Sequence, residues 1–125
     1  DINRKTLYII IEQKIKEELK MKEMSVRVSS KWMKENLPTL YDGLLILAET
    51  FANDEFDSFS FEDLEEMKTE GFYADIDVSE FTEGRWQVIT YVNGSTEPWS
   101  TDELESFEKD EIEALMSLED GDVIE

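Results

Sequence analysis

From Phe72 the chain alternates strictly: Phe72, Ala74, Ile76 and Val78 fall on one side, Tyr73, Asp75, Asp77 and Ser79 on the other. A period of two with one apolar side predicts a half-buried β-strand. Arg85–Val92 predicts a second strand, apolar on both sides. Asn93-Gly94, next in the chain, is a strong signal for a tight hairpin turn. A short third strand over 95–99 is predicted at the sheet edge, because Pro98 cannot donate to a ladder.

Elsewhere the period is helical. Leu7, Ile11, Ile15 and Leu19, joined by Tyr8, form one stripe and predict a helix over 4–24, supported by the pairs Glu12–Lys16 and Glu18–Lys22. After a short break at Ser25-Val26-Arg27, a helix over 30–36 is predicted, capped by Ser29 or Ser30. Pro38 fits the first turn of a central core helix. On that helix Leu40, Tyr41, Leu44, Leu45, Leu47, Ala48, Phe51 and Ala52 share a face, opposite Asp42 and Glu49. Ser60 caps an acidic helix over 61–69, which Gly71 ends. Ser100 with Glu103 has the form of a capping box opening a closing helix over 101–118, which buries Leu104, Phe107, Leu115 and Leu118. The predicted fold class is α+β: one domain over 1–125, helices on one face of a small antiparallel sheet, and a helix at each end. Residues 1–53 are its helical part, and 54–125 carry the sheet and the closing helix.

Composition narrows the chemistry. The 125 residues are 40% hydrophobic and 11% aromatic, enough for a core despite a mean hydropathy of -0.48. Cys and His are both absent, which removes disulfide scaffolds, thiol chemistry, zinc fingers and every His-based triad or proton shuttle. No apolar run reaches the ~18 residues of a membrane span, and the amino end lacks a signal-peptide layout. An intracellular, cytoplasmic protein with no membrane partner is the expectation.

The net charge is -20, and it is regional. Residues 1–41 hold nine of the basic groups against six carboxylates; beyond them only Lys68, Arg85 and Lys109 face 26. Carboxylate catalysis has no specificity among so many acids. No nucleophile is flanked by a base, and the 5 glycines form no phosphate loop, so no enzyme, catalytic residue or cofactor is predicted. Asn53-Asp54-Glu55-Phe56-Asp57 imitates the start of an EF-hand loop. It then has Ser58 where the turn needs Gly and Leu64 where the bidentate Glu belongs, so no dedicated metal site is predicted.

The acidic rows are the remaining constellation. Glu62, Glu66 and Glu70 repeat at i,i+4, about 6 Å apart, with Asp63 and Glu65 beside them. Asp75 and Asp77 share a strand face about 6.5–7 Å apart. Asp54, Glu55, Asp57, Glu80 and Glu83 extend the surface, with Tyr73 and Trp99 as candidate aromatic anchors. Trp86 is expected in the core, and at least one of Phe56, Phe59 and Phe61 at the surface. Like charges in rows destabilise a fold by a few tenths of a kcal/mol per pair, and a sequence shaped for stability alone would intersperse lysines.

The pattern predicts an inhibitor whose carboxylates stand in for phosphates on the basic surface of a nucleic-acid-handling partner, such as a nuclease. In charge, size and lack of catalytic residues the chain looks like the DNA-mimic inhibitors that phages and mobile elements use against restriction or CRISPR nucleases. It is similar also to acidic immunity proteins that neutralise nuclease toxins. Two other readings compete. One is a self-associating module, a homo-oligomer whose basic amino-terminal segment meets a second copy's acidic surface. The other is direct DNA binding through residues 14–36, which loosely resemble a helix-turn-helix. Net charge opposes the latter, so no direct nucleic-acid binding is expected.

Overall fold

A computed structural model describes residues 21–125. The predicted helix over 4–24 lies mostly outside them; where the two overlap, 21–23 have no regular structure and Met24 opens a strand. The described elements run β1 (Met24–Ser29), α1 (Ser30–Asn36), α2 (Pro38–Asn53), a 3-10 turn (Phe56–Ser58), α3 (Phe61–Glu70), β2 (Tyr73–Thr82) and β3 (Arg85–Val92). They continue with β4 (Ser100–Glu103), a second 3-10 turn (Leu104–Ser106), α4 (Lys109–Met116) and β5 (Val123–Ile124). The class is α+β. The sheet has five strands in the order β4-β3-β2-β1-β5, antiparallel except where β5 runs parallel to β1.

The alternation read from residue 72 onward sets the layers. Phe72, Ala74, Ile76 and Val78 are buried, as are Met24, Val26 and Val28 of β1 and Val88, Thr90 and Val92 of β3. They form one cluster with Met33, Leu40, Leu44, Leu64, Met67 and Leu115 from the helices; Thr90 adds a polar member to the buried set. The opposite sheet face carries Arg27, Asp75, Asp77 and Tyr91, exposed or half-buried.

Local signals fix the helix ends. Ser29 caps α1, its Oγ accepting from the Trp32 amide at 3.2 Å, and Pro38 opens α2. Ser60 and Asp63 form a reciprocal capping box on α3, which ends at Gly71. Burial of Leu40, Leu44, Ala48 and Ala52 makes α2 the core helix, although Ile46 is 65% exposed.

Four expectations are corrected. Ser25-Val26-Arg27 is no break but the middle of β1, which pairs along its whole length with β2; the helix–break–helix arrangement of 14–36 is therefore not formed there. Asn93 and Gly94 take the two positive φ angles of a tight turn, closed by Ser95 N donating to Val92 O at 3.0 Å. The next strand begins at Ser100 rather than 95: the loop over 95–99 rejoins β3 where Trp99 N donates to Thr90 O at 2.8 Å, beside the Thr90–Ser100 pair. Ser100 and Glu103 form no capping box, since they pair with Thr90 and Gln87 as edge strand β4. The closing helix is confined to α4, and a strand rather than a helix follows it: β5 lies beside β1, and just before it Asp122 O accepts from Arg27 N at 2.9 Å. Leu104, Phe107, Leu115 and Leu118 are nevertheless all buried in the one core cluster.

Candidate partner-binding surface

The predicted carboxylates divide into those that the fold engages and those that it leaves free. Asp75 belongs to the first group. In the β1–β2 register Arg27 stands opposite it, donating from Nε to Oδ1 at 2.8 Å and from a terminal nitrogen to Oδ2 at 3.3 Å. The hydrogen bond and the charge of Asp75 raise the Arg27 pKa above its ordinary value, so the guanidinium stays charged at any working pH. Asp77, two pairs along on the same face, accepts from Ser25 Oγ at 2.6 Å. Asp63 accepts from Ser60 N and Oγ at 2.8 and 3.0 Å, and Glu80 from Gly84 N at 3.2 Å, which closes the β2–β3 turn. Each of these four is held by its own chain.

The second group lies on α3, just before it and at the β2–β3 turn. Glu62, Glu65, Glu66 and Glu70 are exposed, and their carboxylates have no hydrogen-bond or ion-pair partner among the described residues. An α-helix places Glu62, Glu66 and Glu70 in one row at about 6 Å intervals, while Leu64 and Met67 anchor the opposite side in the core. Asp54 and Glu55 are exposed just after α2; the backbone of Asp57 lies in the 3-10 turn that follows, and its side chain is not counted in either group. Glu83 is exposed at the β2–β3 turn, beyond the engaged aspartates of the sheet face.

The two aromatic anchors are placed differently. Tyr73 is 44% exposed and borders a hollow of about 460 Å³ with Arg27, Asp75, Asn93 and Val123. Trp99 is half-buried and packs edge-on against Phe51 and Phe59, with ring centroids 5.1 and 5.8 Å away. Trp86, expected in the core, is also half-buried. Of the three phenylalanines in the acidic loop, Phe56 and Phe61 are 58% and 55% exposed, whereas Phe59 is half-buried.

The pairing of Arg27 with Asp75 is the feature of this surface that sequence reasoning misses. The pairing follows from the β1–β2 register, within the segment Ser25-Val26-Arg27 that the sequence marks as a break. The signal was present in the alternation of Met24, Val26 and Val28 with Ser25 and Arg27.

No protein-family model, curated protein or solved structure matches this chain. Among the described residues no helix is long and apolar enough to cross a membrane.

Proposed function

We propose that this protein binds and blocks a partner through that partner's basic, nucleic-acid-handling surface, with the free carboxylates of α3 in the place of backbone phosphates. The observation that carries the reading is the exposed row Glu62, Glu66 and Glu70, with Glu65 beside it and no cationic partner among the described residues. Repulsion along such a row costs stability, and a cationic groove relieves it on binding. The row sits on a helix anchored by core side chains, so its spacing is set before the partner arrives and little ordering is needed on association. Steering by the acidic surface makes association fast and strongly salt-dependent.

Retention of proteins from a bacterial lysate at about 50 mM salt, followed by elution with heparin or about 500 mM salt, tests the reading. The expected result is a nucleic-acid-handling protein, released by the polyanion, whose binding to DNA or RNA this protein blocks. Recovery of nothing, or of this protein alone, contradicts it.

A further inference from the structure

Four aromatic rings from three segments line one cavity. Phe51 comes from the last turn of α2, Phe56 and Phe59 from the 3-10 turn and its C-cap, and Trp99 from the segment leading into β4. The cavity measures about 290 Å³, and Glu97 and Pro98 complete its rim. Trp99 stands at 79° to Phe51 and 83° to Phe59, while Phe56 lies 5.4 Å from Phe51 at 31°. Phe56 stays 58% exposed at this wall, on a turn with left-handed residues Glu55 and Ser58 at either side.

Three observations select the occupant. The walls are π-systems, whose negative faces attract cations. The lining contains one charged residue, Glu97, and its charge is negative. The cavity also lies at the carboxyl end of α2, where the last carbonyls carry the negative end of the helix dipole and Asp54 and Glu55 are exposed. Size adds a limit: the cavity is at or below the roughly 300–1,000 Å³ of small-molecule sites and suits one side chain.

We propose that this cavity is a socket for a cationic side chain of the partner, an arginine whose guanidinium stacks on the aromatic wall and pairs with Glu97. The inference rests on the reading that the partner is basic, and it names the anchor that fixes the partner's register on the acidic surface. Guanidinium suits the site better than ammonium because it is planar, stacks on rings and is more weakly hydrated.

The test uses the whole protein and a small probe. Indole N–H resonances are followed by NMR during titration with N-acetyl-arginine amide, and separately with N-acetyl-citrulline amide, its neutral isostere, at constant ionic strength. Trp99 is assigned from Trp99→Phe. The expected result is a saturable shift of Trp99 with arginine, while Trp32 and Trp86 stay in place, and an affinity for citrulline lower by about tenfold. Glu97→Gln weakens arginine binding about threefold, as a partly exposed ion pair should. Phe56→Ala, at an exposed position, weakens it about fivefold. Equal affinity for arginine and citrulline, or no saturable shift at Trp99, overturns the socket. Because the probe is a single amino-acid derivative, such a failure leaves the lysate experiment free to succeed, and a failed lysate experiment leaves the titration free to succeed.

Discussion

Thr39 and Glu111, 72 positions apart in sequence, are joined by two hydrogen bonds: the Thr39 hydroxyl and amide donate to the two oxygens of the Glu111 carboxylate at 2.8 and 3.1 Å. Glu111 is only 2% exposed and also accepts from the Glu108 amide at 3.1 Å. One buried carboxylate thus caps the amino-terminal turns of both α2 and α4, where helix dipoles favour negative charge. Glu111→Ala leaves these donors without a partner and is expected to lower stability by about 2–4 kcal/mol. Glu111→Gln, which keeps an acceptor, costs less. Urea unfolding of the two variants checks the order.

Thr90 presents the opposite case. It is fully buried, opposite Ser100 in the β3–β4 register, and its hydroxyl has no hydrogen-bond partner among the described residues. Thr90→Val removes an unsatisfied polar group while keeping the shape of the side chain. The expected result is a gain of about 1 kcal/mol in the unfolding free energy.

Gly71 joins α3 to β2 with φ +83°, and a Cβ there would lie 2.9 Å from Ser30 Oγ. That oxygen already accepts from the Phe72 amide at 3.1 Å, while Ser30 N donates to Phe72 O at 2.8 Å. Gly71→Ala therefore meets both backbone strain and a crowded, engaged neighbour. It is expected to destabilise by about 2 kcal/mol, measured as a lower midpoint with an unchanged slope in urea.

The Arg27–Asp75 pair sets a pH expectation. The folded protein raises the pKa of a group that is already a strong base, through the hydrogen bond and charge of Asp75. Stability from such a shift is complete below the unfolded pKa and is lost only as pH climbs through the folded one, and both lie above the working range. The difference in unfolding midpoint between the wild type and Arg27→Met is therefore expected to stay constant from about pH 7 to about pH 10. A difference that shrinks across that window contradicts the assignment.

Much of this fold is legible in the sequence wherever one period is sustained. The alternation from Phe72 to Val78 and the stripe from Leu40 to Ala52 both became core faces, because each is long enough for burial to dominate local preference. β4 is Ser-Thr-Asp-Glu, without an apolar residue, and acquires its strand character from pairing with β3. β5 is two residues long, and only the partner β1 defines it. At the surface the sequence marks where carboxylates are dense. Which of them are spoken for depends on register: Asp75 and Glu62 look alike in composition, yet only Asp75 faces an arginine across a strand pair. The aromatic socket was hidden for a similar reason, since Trp99 reaches Phe51 across 48 positions.

The central claim is that the free carboxylates of α3, rather than the engaged aspartates of the sheet, meet the partner. Three baits are compared on one lysate at about 50 mM salt: the wild type, the triple variant Glu62→Gln, Glu66→Gln and Glu70→Gln, and the double variant Asp75→Asn and Asp77→Asn. Circular dichroism first confirms that all three are folded. The account predicts that the wild type and the sheet variant retain the same nucleic-acid-handling protein and release it to double-stranded DNA, while the α3 variant retains at least about tenfold less. Undiminished retention by the α3 variant would contradict it.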